Sequence, residues 1–387
     1  MSIATDVASI NVERTTQEQL QRIKDFSLPN FVPPYPYKRS PFAEKATAEA
    51  NRWVEEFSLD EVYNSPEELR GLYKADFPGL AMVVYVDCGE REAIWAAKFF
   101  IWLFIFDDRL DDITNFCAPE KSTAIFLELN AMVMWSFPDD ELFYNKFVEF
   151  LDEGDVAERD QCLNFLHSKL DEARLKLGTV YKISSPDVHP LCKSFQDLWT
   201  PLCEAIQTDS LRRWALLFQD QLLANVREIR NRKNNTIPSV DDYITCRRDG
   251  VALRTSSVSV EFLDKVHVPD EVFDCPEMQR FLLATNDAIS WHNDLWSFQK
   301  EALIGDVHNL VIVVSHAQQC SYAEAGAKVY QMMMSKLAEM EEAIGDLEKV
   351  TPPEHQHAIS RYFHWARNFV TGSHYWHDSC TRYTKFA

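Results

Sequence analysis

The sequence predicts an all-α fold, and three observations support this. Glycine is scarce, with 10 residues in 387, far below the average usage of about 7%, which argues against strands joined by glycine turns. Candidate helical stretches are separated by short breaks, and prolines stand near several of their starts, where the missing N–H costs little. Apolar residues make up 46% of the chain, enough for one large core. Helices are expected at 41–57, 65–73, 90–114, 119–135, 156–180, 190–206, 210–231, 240–262, 276–303, 307–318, 321–349 and 353–375.

The chain is expected to consist of an N-terminal arm and one helical domain. Residues 1–40 are polar and then proline-rich, so they predict an extended arm that wraps the domain, with disorder as the alternative. Residues 41–387 contain no repeat, no linker of domain-separating length and no low-complexity tract. One domain is therefore the economical interpretation of this second part.

Charge and cysteine usage exclude several classes of protein. The net charge of −21 argues against a nucleic-acid partner, because binding a phosphate backbone needs a basic surface. Nine cysteines stand without a C-x-x-C pair, which predicts reduced thiols rather than a zinc site or a disulfide framework.

The first 25 residues lack the basic start and apolar core of a signal peptide. The longest apolar stretch is shorter than the roughly 20 residues that span a bilayer. A cytoplasmic protein without a membrane partner is expected.

Four aspartates directly follow the apolar stretch 93–106: Asp107, Asp108, Asp111 and Asp112. Like charges four residues apart on a helix cost about 0.2–0.5 kcal/mol per pair, and carboxylates near a helix C-terminus oppose its dipole by about 0.3–1 kcal/mol each. A bound cation would offset this cost, and oxygen ligands favour a hard ion such as Mg²⁺. Asp107 is the first candidate ligand and Asp111 the second, because neighbours on a helix point about 100° apart. A solvated acidic helix end is the alternative.

A second polar cluster contains Asn293, Ser297 and Glu301. Their spacing of four residues stacks an amide oxygen, a hydroxyl and a carboxylate along one helix face. Asp294 and Lys300 flank them, and the ammonium group of Lys300 suits a phosphate. A polar stripe on an amphipathic helix would explain the spacing, but not the selection of three metal-binding oxygens.

With these motifs, the chain resembles the class I terpene synthases of the microbial type. The aspartate-rich motif, the Asn293, Ser297 and Glu301 motif and a C-terminal Arg382-Tyr383 pair occur in the family's order. The resemblance implies a single-domain helical bundle with a central active-site cavity, and three Mg²⁺ ions. It also implies a diphosphate-sensing arginine upstream of the second motif, and Arg247 is the residue in that place.

The resemblance further implies a substrate and a set of roles. An isoprenyl diphosphate, most simply farnesyl diphosphate, would be ionised and cyclised to a sesquiterpene hydrocarbon or alcohol with release of diphosphate. The diphosphate oxygens would accept hydrogen bonds from Arg247, Lys300, Arg382 and Tyr383. Aromatic rings at Phe104 and Trp376 would line the cyclisation pocket, although packing in the core is the alternative for both.

Other functions stay open at the level of sequence. A cyclase of the same family could act on geranylgeranyl diphosphate and give a diterpene. A chain-elongating prenyl diphosphate synthase would normally carry two aspartate-rich motifs, and a helical binding protein descended from the family would normally have lost one motif. The assembly is expected to be a monomer or a homodimer.

One departure from the family pattern concerns the segment after Arg247. Many members have an Asp-Gly pair where the helix breaks, and Asp249-Gly250 sits about one position early here. Because glycine permits unusual backbone conformations, a bend near Gly250 is expected, with a loop before a helix as the alternative.

Overall fold

The computed structural model describes residues 17–63, 65–111, 119–153, 159–183 and 185–384. Within these ranges the chain forms helices joined by turns and extended segments, without a β-strand. The helices are α1 (Gln17–Lys24), α2 (Ala43–Glu56), α3 (Pro66–Ala75), α4 (Phe77–Val84), α5 (Glu90–Asp111), α6 (Pro119–Trp135), α7 (Glu141–Glu153), α8 (Arg159–Leu175), α9 (Pro190–Ala205), α10 (Thr208–Asn234), α11 (Val240–Gly250), α12 (Leu253–Leu263), α13 (Asp270–Phe273), α14 (Pro276–Ile304), α15 (Leu310–Gln318), α16 (Tyr322–Val350), α17 (Gln356–Ser379) and α18 (Thr381–Thr384). None of the described helices is both long enough and apolar enough to cross a bilayer. The predicted all-α fold class is confirmed.

Three helices of eight or more residues were not predicted: α1, α4 and α7. The short α4 contains Pro78 and Gly79, and all of its residues are buried, so no alternation of apolar and polar faces marks it. In α7 the buried residues Phe143, Phe147 and Phe150 follow the helical period. That pattern alone was sufficient to predict α7.

The single helix predicted at 240–262 is divided into α11 and α12. Between them Ala252 has φ +61°, in the left-handed region that costs a residue with a Cβ about 1–2 kcal/mol. A Cβ on Gly250 would lie 2.5 Å from Oε1 of Glu228 on α10. The bend expected near Gly250 is present, and a side chain at this position would require the Glu228 carboxylate of α10 to move.

The segment predicted as an extended arm contains α1 and then runs along α14 and α16. The Gln299 amide donates hydrogen bonds to the carbonyl oxygens of Ile23 and Phe26, both at 3.2 Å. Farther along, the Tyr35 hydroxyl donates to Oε1 of Glu341 at 2.6 Å. These bonds attach the described part of the arm to α14 and α16. The first sixteen residues lie outside the described ranges.

Helices α5 and α14, which carry the two predicted metal motifs, are both deeply packed. On α5 the buried rings of Trp102 and Phe106 stack, with centroids 5.0 Å apart and planes inclined by 9°. Most residues of α14 are buried, and at its start Arg280 forms ion pairs with Glu342 and Asp346 of α16, at 2.9 and 3.2 Å. Packing on most sides fixes where these helices project their polar side chains.

Helix α17 lies unusually close to α4. A Cβ built on Gly372 would be 2.6 Å from Cγ2 of Val83 and 2.9 Å from its carbonyl oxygen. One turn later, Nε1 of Trp376 donates to the carbonyl oxygens of Ala75 and Asp76, at 2.8 and 3.1 Å. These contacts hold α17 at a fixed position.

A buried ion pair joins α10, α12 and α17. Nη1 of Arg213 on α10 lies 2.7 Å from Oε1 of Glu261 on α12, and the Glu261 side chain is only 1% exposed. The Tyr362 hydroxyl of α17 donates to the same oxygen at 2.7 Å, and the Ser210 hydroxyl donates to Oε2 at 2.6 Å. Both carboxylate oxygens are therefore satisfied, the condition under which a buried ion pair is tolerated.

Candidate active site

A cavity opens between α5, α10, α14 and α17 and is bordered by the α11–α12 break and α18. Eight of the residues predicted to act in the site line it: Phe104, Asp107, Arg247, Asn293, Glu301, Trp376, Arg382 and Tyr383. Of the other three, Ser297 is buried on α14 beside this lining, and Lys300 is half-buried on the same helix. Asp111 is the last residue of α5, but its side chain and all of Asp112 lie outside the described residues.

Asp107 and Asp108 lie side by side near the end of α5 and have different surroundings. Asp107 lines the cavity. Asp108 forms an ion pair with Arg382, with 2.6 Å between Oδ1 and Nη2. Burial raises the pKa of the Asp108 carboxyl, but the positive charges of Arg382 and Lys300 outweigh burial and hold that pKa below its usual value. Asp108 is therefore ionised, and its partner is the guanidinium of Arg382.

Asn309, which lies directly before α15, joins two members of the α14 motif. Nδ2 of Asn309 lies 2.9 Å from Oε2 of Glu301 and 3.3 Å from Oγ of Ser297, and it donates to both. The same nitrogen donates to the carbonyl oxygen of Asp294 at 2.7 Å, so its two hydrogens are shared among three acceptors. Asn309 therefore fixes the hydroxyl and the carboxylate relative to the helix. Its role was not predicted from the sequence.

Arg247 lies at the end of α11 and contacts α14. Its Nη2 donates to Oδ1 of Asn293 at 2.8 Å and forms an ion pair with Oδ1 of Asp294 at 3.0 Å. The Tyr243 hydroxyl donates to the other oxygen of Asp294 at 2.6 Å. Burial raises the pKa of the Asp294 carboxyl, although Arg247 and Tyr243 oppose the shift. The Arg247 guanidinium therefore contacts both Asn293, a predicted metal ligand, and the adjacent Asp294.

A polar stripe on α10 was missed by the sequence analysis. Gln221, Asn225, Glu228 and Arg232 line the cavity at intervals of four, three and four residues. This spacing places them on one helix face, so a polar stripe along a mostly buried helix was the signal that could have revealed them. Asn225 is 2% exposed, and among the described residues its Oδ1 has no hydrogen-bond partner.

Asp306 and His308, just after α14, complete the polar end of the cavity. Nε of Arg232 lies 3.3 Å from each carboxylate oxygen of Asp306. The His308 backbone N–H donates to Asp306 at 2.8 Å. Burial, followed by the negative charge of Asp306, raises the pKa of Glu301 above its usual value. A carboxyl in these surroundings would be ionised more readily next to a cation.

Part of the cavity lining is aromatic. The ring centroids of Phe104 and Trp376 are 5.7 Å apart, and Phe77 stacks on Phe104 at 3.8 Å with an interplanar angle of 10°. The Tyr383 ring lies edge-on to Trp376 at 5.7 Å. The two rings predicted to line the pocket therefore belong to one aromatic cluster that borders the cavity.

Lys300 and Tyr383 were also predicted to bind diphosphate. The positive charge of Lys300 lowers the pKa of Asp108 and opposes the raised pKa of Glu301, although Lys300 is not among the described residues that line the cavity. Burial raises the pKa of the Tyr383 hydroxyl to about 12. Tyr383 is therefore protonated at neutral pH and can donate a hydrogen bond.

His377, beside Trp376 on α17, contacts a predicted metal ligand. Its Nε2 lies 2.9 Å from Nδ2 of Asn293, and its Nδ1 lies 2.5 Å from the carbonyl oxygen of Ser373. Burial lowers the pKa of His377 to about 3, so the ring is neutral at physiological pH. No sequence pattern indicated this residue.

The oxygen donors suit a metal ion that binds together with its substrate. Among the described residues, no group of three His, Cys, Asp or Glu side chains could hold a metal by itself. The α14 motif offers one carboxylate, one amide oxygen and one hydroxyl. Because Mg²⁺ typically binds one or two carboxylates and completes its octahedron with water and phosphate oxygens, this set fits that ion and a diphosphate.

Known proteins share these features. Residues 149–339 match the family model described as terpene synthase family 2, C-terminal metal binding. The chain belongs to the class I terpene synthases. Alpha-gurjunene synthase from Marchantia polymorpha is 28% identical over 99% of this chain and 93% of its own length. Sesquiterpene synthase 3 from Postia placenta is 25% identical over 73% of this chain and 62% of its own length.

The terpene synthase fold is also found in solved structures. The crystal structure of a-eudesmol synthase superposes with a TM-score of 0.70 and 18% sequence identity, and the match covers 90% of this chain and 98% of that one. The family model and the named relatives, rather than the fold, identify a terpene cyclase of the lyase class that uses a divalent metal.

Proposed function

We propose that this terpene synthase uses Mg²⁺ to ionise farnesyl diphosphate and cyclises the resulting cation to a sesquiterpene hydrocarbon or alcohol, releasing diphosphate. The observation that carries the proposal is that one cavity is lined both by metal-binding oxygens and by aromatic rings. Asp107, Asn293 and Glu301 supply the oxygens, and Phe104 and Trp376 supply rings whose centroids are 5.7 Å apart. The oxygens suit the counter-ions of a diphosphate, and the rings suit an apolar chain.

The metal ligands would come from two helices. Asp107 and Asp111 of α5 would hold Mg²⁺ on one wall, and Asn293, Ser297 and Glu301 of α14 would hold it on the other, with three ions in all. When bound, Mg²⁺ acts as a Lewis acid that neutralises the charge of the leaving group. Asp107, Asn293 and Glu301 line the same cavity, which supports this assignment.

Cationic and hydroxyl groups would bind the diphosphate directly. Arg247, Arg382 and Tyr383 would donate hydrogen bonds to its oxygens, and Lys300 would add positive charge. Hydrogen bonds to charged groups contribute about 1.5–3 kcal/mol each. Carboxylates of α14 and α5 already hold the two guanidiniums beside the cavity, so little reorganisation is needed before ionisation.

The aromatic wall would protect the cation after the diphosphate leaves. Phe104 and Trp376 present rings that stabilise a nearby cation by about 0.5–2 kcal/mol each and exclude water that would quench it early.

The choice of farnesyl diphosphate is supported by the relative named sesquiterpene synthase 3. We also propose that residues 41–387 form one catalytic domain.

The decisive assay supplies three substrates separately. Purified protein with Mg²⁺ is incubated with geranyl, farnesyl or geranylgeranyl diphosphate, and the volatile products are analysed by gas chromatography and mass spectrometry. A cyclised sesquiterpene from farnesyl diphosphate is expected. Cyclic product from geranylgeranyl diphosphate alone would assign a diterpene synthase, and longer prenyl diphosphates formed with added isopentenyl diphosphate would assign chain elongation.

Variants of the two metal walls test the assigned ligands. Asp107→Ala and Asn293→Ala are expected to keep the helical circular dichroism spectrum and lose most turnover. Asp152→Ala, at a largely exposed ion pair with Arg159, is the matched control and should retain full activity. Wild-type turnover by Asn293→Ala, or undiminished activity in excess EDTA, would refute the two-wall metal site.

A further inference from the structure

The Asn293 amide has two ends that differ chemically, and only one of them can bind a metal ion. Mg²⁺ takes oxygen ligands, so the side chain serves as a ligand only when Oδ1 faces the cavity. An amide can be turned by 180° with almost no change in shape, which means that packing alone does not select the orientation. Neighbouring donors and acceptors must select it.

The tautomer of His377 is determined by Ser373. Nδ1 of His377 lies 2.5 Å from the Ser373 carbonyl oxygen, and a carbonyl oxygen can only accept a hydrogen bond. Nδ1 therefore carries the proton, and in a neutral imidazole Nε2 is left as an acceptor. Nε2 lies 2.9 Å from Nδ2 of Asn293, so the amide nitrogen donates to it.

Arg247 specifies the same orientation from the other side. Its Nη2 lies 2.8 Å from Oδ1 of Asn293, and a guanidinium can only donate. Turning the amide would place two donors against each other at Arg247 and two acceptors against each other at His377. The two neighbours therefore agree on one orientation.

The His377 ring is itself held firmly. It is 3% exposed and stacks on Trp296 at 5.8 Å with an interplanar angle of 27°. The Tyr383 ring lies 4.9 Å away. A ring enclosed in this way can fix the group to which it is bonded.

We propose that His377 is a positioning residue, which through its Nδ1–H tautomer orients the Asn293 amide so that Oδ1 faces the metal side of the cavity. The inference rests on the proposed role of Asn293 as a metal ligand. Substrate contact is not required of His377, because it acts through Asn293. Loss of partners that orient a metal ligand typically costs 10–100-fold in metal affinity.

The first test measures binding in the absence of turnover. Calorimetry with Mg²⁺ and inorganic diphosphate is expected to show affinity about 10–100-fold weaker in His377→Phe, which keeps a ring but removes the acceptor. His377→Gln, whose amide oxygen can accept from Asn293, should recover most of the affinity. The matched control is His374→Phe, because the described contacts of His374 include His292 but not Asn293. Affinity within twofold of wild type in His377→Phe would overturn the proposal.

The second test does not depend on folding of the Phe variant. In ¹⁵N-histidine-labelled protein, the His377 signals are assigned by their absence in His377→Gln, and long-range ¹H–¹⁵N spectra report which nitrogen is protonated. Protonation at Nδ1 alone is expected, and protonation at Nε2 alone would overturn the proposal.

A third variant separates this inference from the proposed function. Asn293→Ala should weaken the binding of Mg²⁺ and diphosphate, and adding His377→Phe to it should have no further effect. If Asn293→Ala binds as wild type does, the metal role of Asn293 is wrong. If Asn293→Ala loses binding while His377→Phe keeps it, only the positioning role is wrong.

Discussion

Arg382 and Asp108 form an ion pair of 2.6 Å that joins α18 to the end of α5, and their side chains are only 14% and 18% exposed. Salt screens such a sheltered pair weakly. Removal of one member leaves the other as an unpaired charge in a largely buried place. Asp108 thus holds the arginine predicted to bind diphosphate, and its neighbour Asp107 lines the cavity.

Asp108→Asn is expected to affect substrate binding more than chemistry. Without the ion pair α18 should dock less firmly, and KM should rise about tenfold, the equivalent of about 1.4 kcal/mol, with kcat changed little. Hydrogen exchange of 381–384 should become faster, and Mg²⁺ with diphosphate should slow it again. Asp107→Asn is the comparison variant and should lower kcat. A loss of kcat without a change of KM in Asp108→Asn would instead indicate a metal ligand.

Trp376→Leu is expected to change the products rather than the ionisation step. Substrate consumption should stay near wild type because metal and arginine groups drive ionisation, while acyclic or less cyclised products increase. Trp376→Phe keeps a ring but loses the hydrogen bonds to the Ala75 and Asp76 carbonyls, so it should keep the cyclised products at a small cost in stability. If the side chain only packs in the core, Trp376→Leu should lower the melting temperature, because it leaves a cavity, with unchanged product ratios.

Asn225→Leu tests whether the unpartnered oxygen in the cavity serves the reaction. Replacing an unsatisfied buried polar group relieves a penalty of about 1–3 kcal/mol, so the melting temperature should stay equal or rise while the product ratios change. Asn130 is equally buried, but it is bonded to Phe126 and Gln219, and Asn130→Leu should therefore destabilise the protein. Equal destabilisation by the two variants, in thermal unfolding, would contradict the prediction.

Glu261→Gln is expected to be among the costly substitutions outside the cavity. It removes one of the two carboxylate partners of Arg213, which keeps Asp270 at 2.7 Å. The loss should therefore be about 1–3 kcal/mol, below the roughly 3–5 kcal/mol of a buried charge left without a partner. Tyr362→Phe removes one hydrogen bond from the same carboxylate and should cost only about 0.5–1.5 kcal/mol. Urea unfolding of both variants measures the difference, and a loss below about 1 kcal/mol in Glu261→Gln would contradict a stabilising role for the pair.

Features fixed by geometry within one helix could be predicted from the sequence. The alignment of Asn293, Ser297 and Glu301 follows from the helical period alone, and α14 carries them as expected. By contrast, α4 escaped prediction because it is buried on every side, so it has no polar face to reveal its period.

Contacts between helices could not be predicted in this way. The bond from Asn309 to Glu301 depends on how the chain turns after α14, and the bond between Asn293 and His377 depends on the packing of α17 against α14. Motif spacing locates a ligand along the chain, but partners on other helices appear only once the tertiary packing is known.

Gly372 limits how the chamber of this enzyme can be redesigned. No side chain fits between its backbone and Val83, so α17 cannot be tilted by substitutions at that crossing without displacing α4. An engineer who wants room for a longer isoprenoid must therefore shorten side chains on other walls, and Leu103 of α5 and Leu253 of α12 both border the cavity. Mutational drift in product specificity should likewise accumulate on α5, α10 and α12, while the backbone of α17 stays in place.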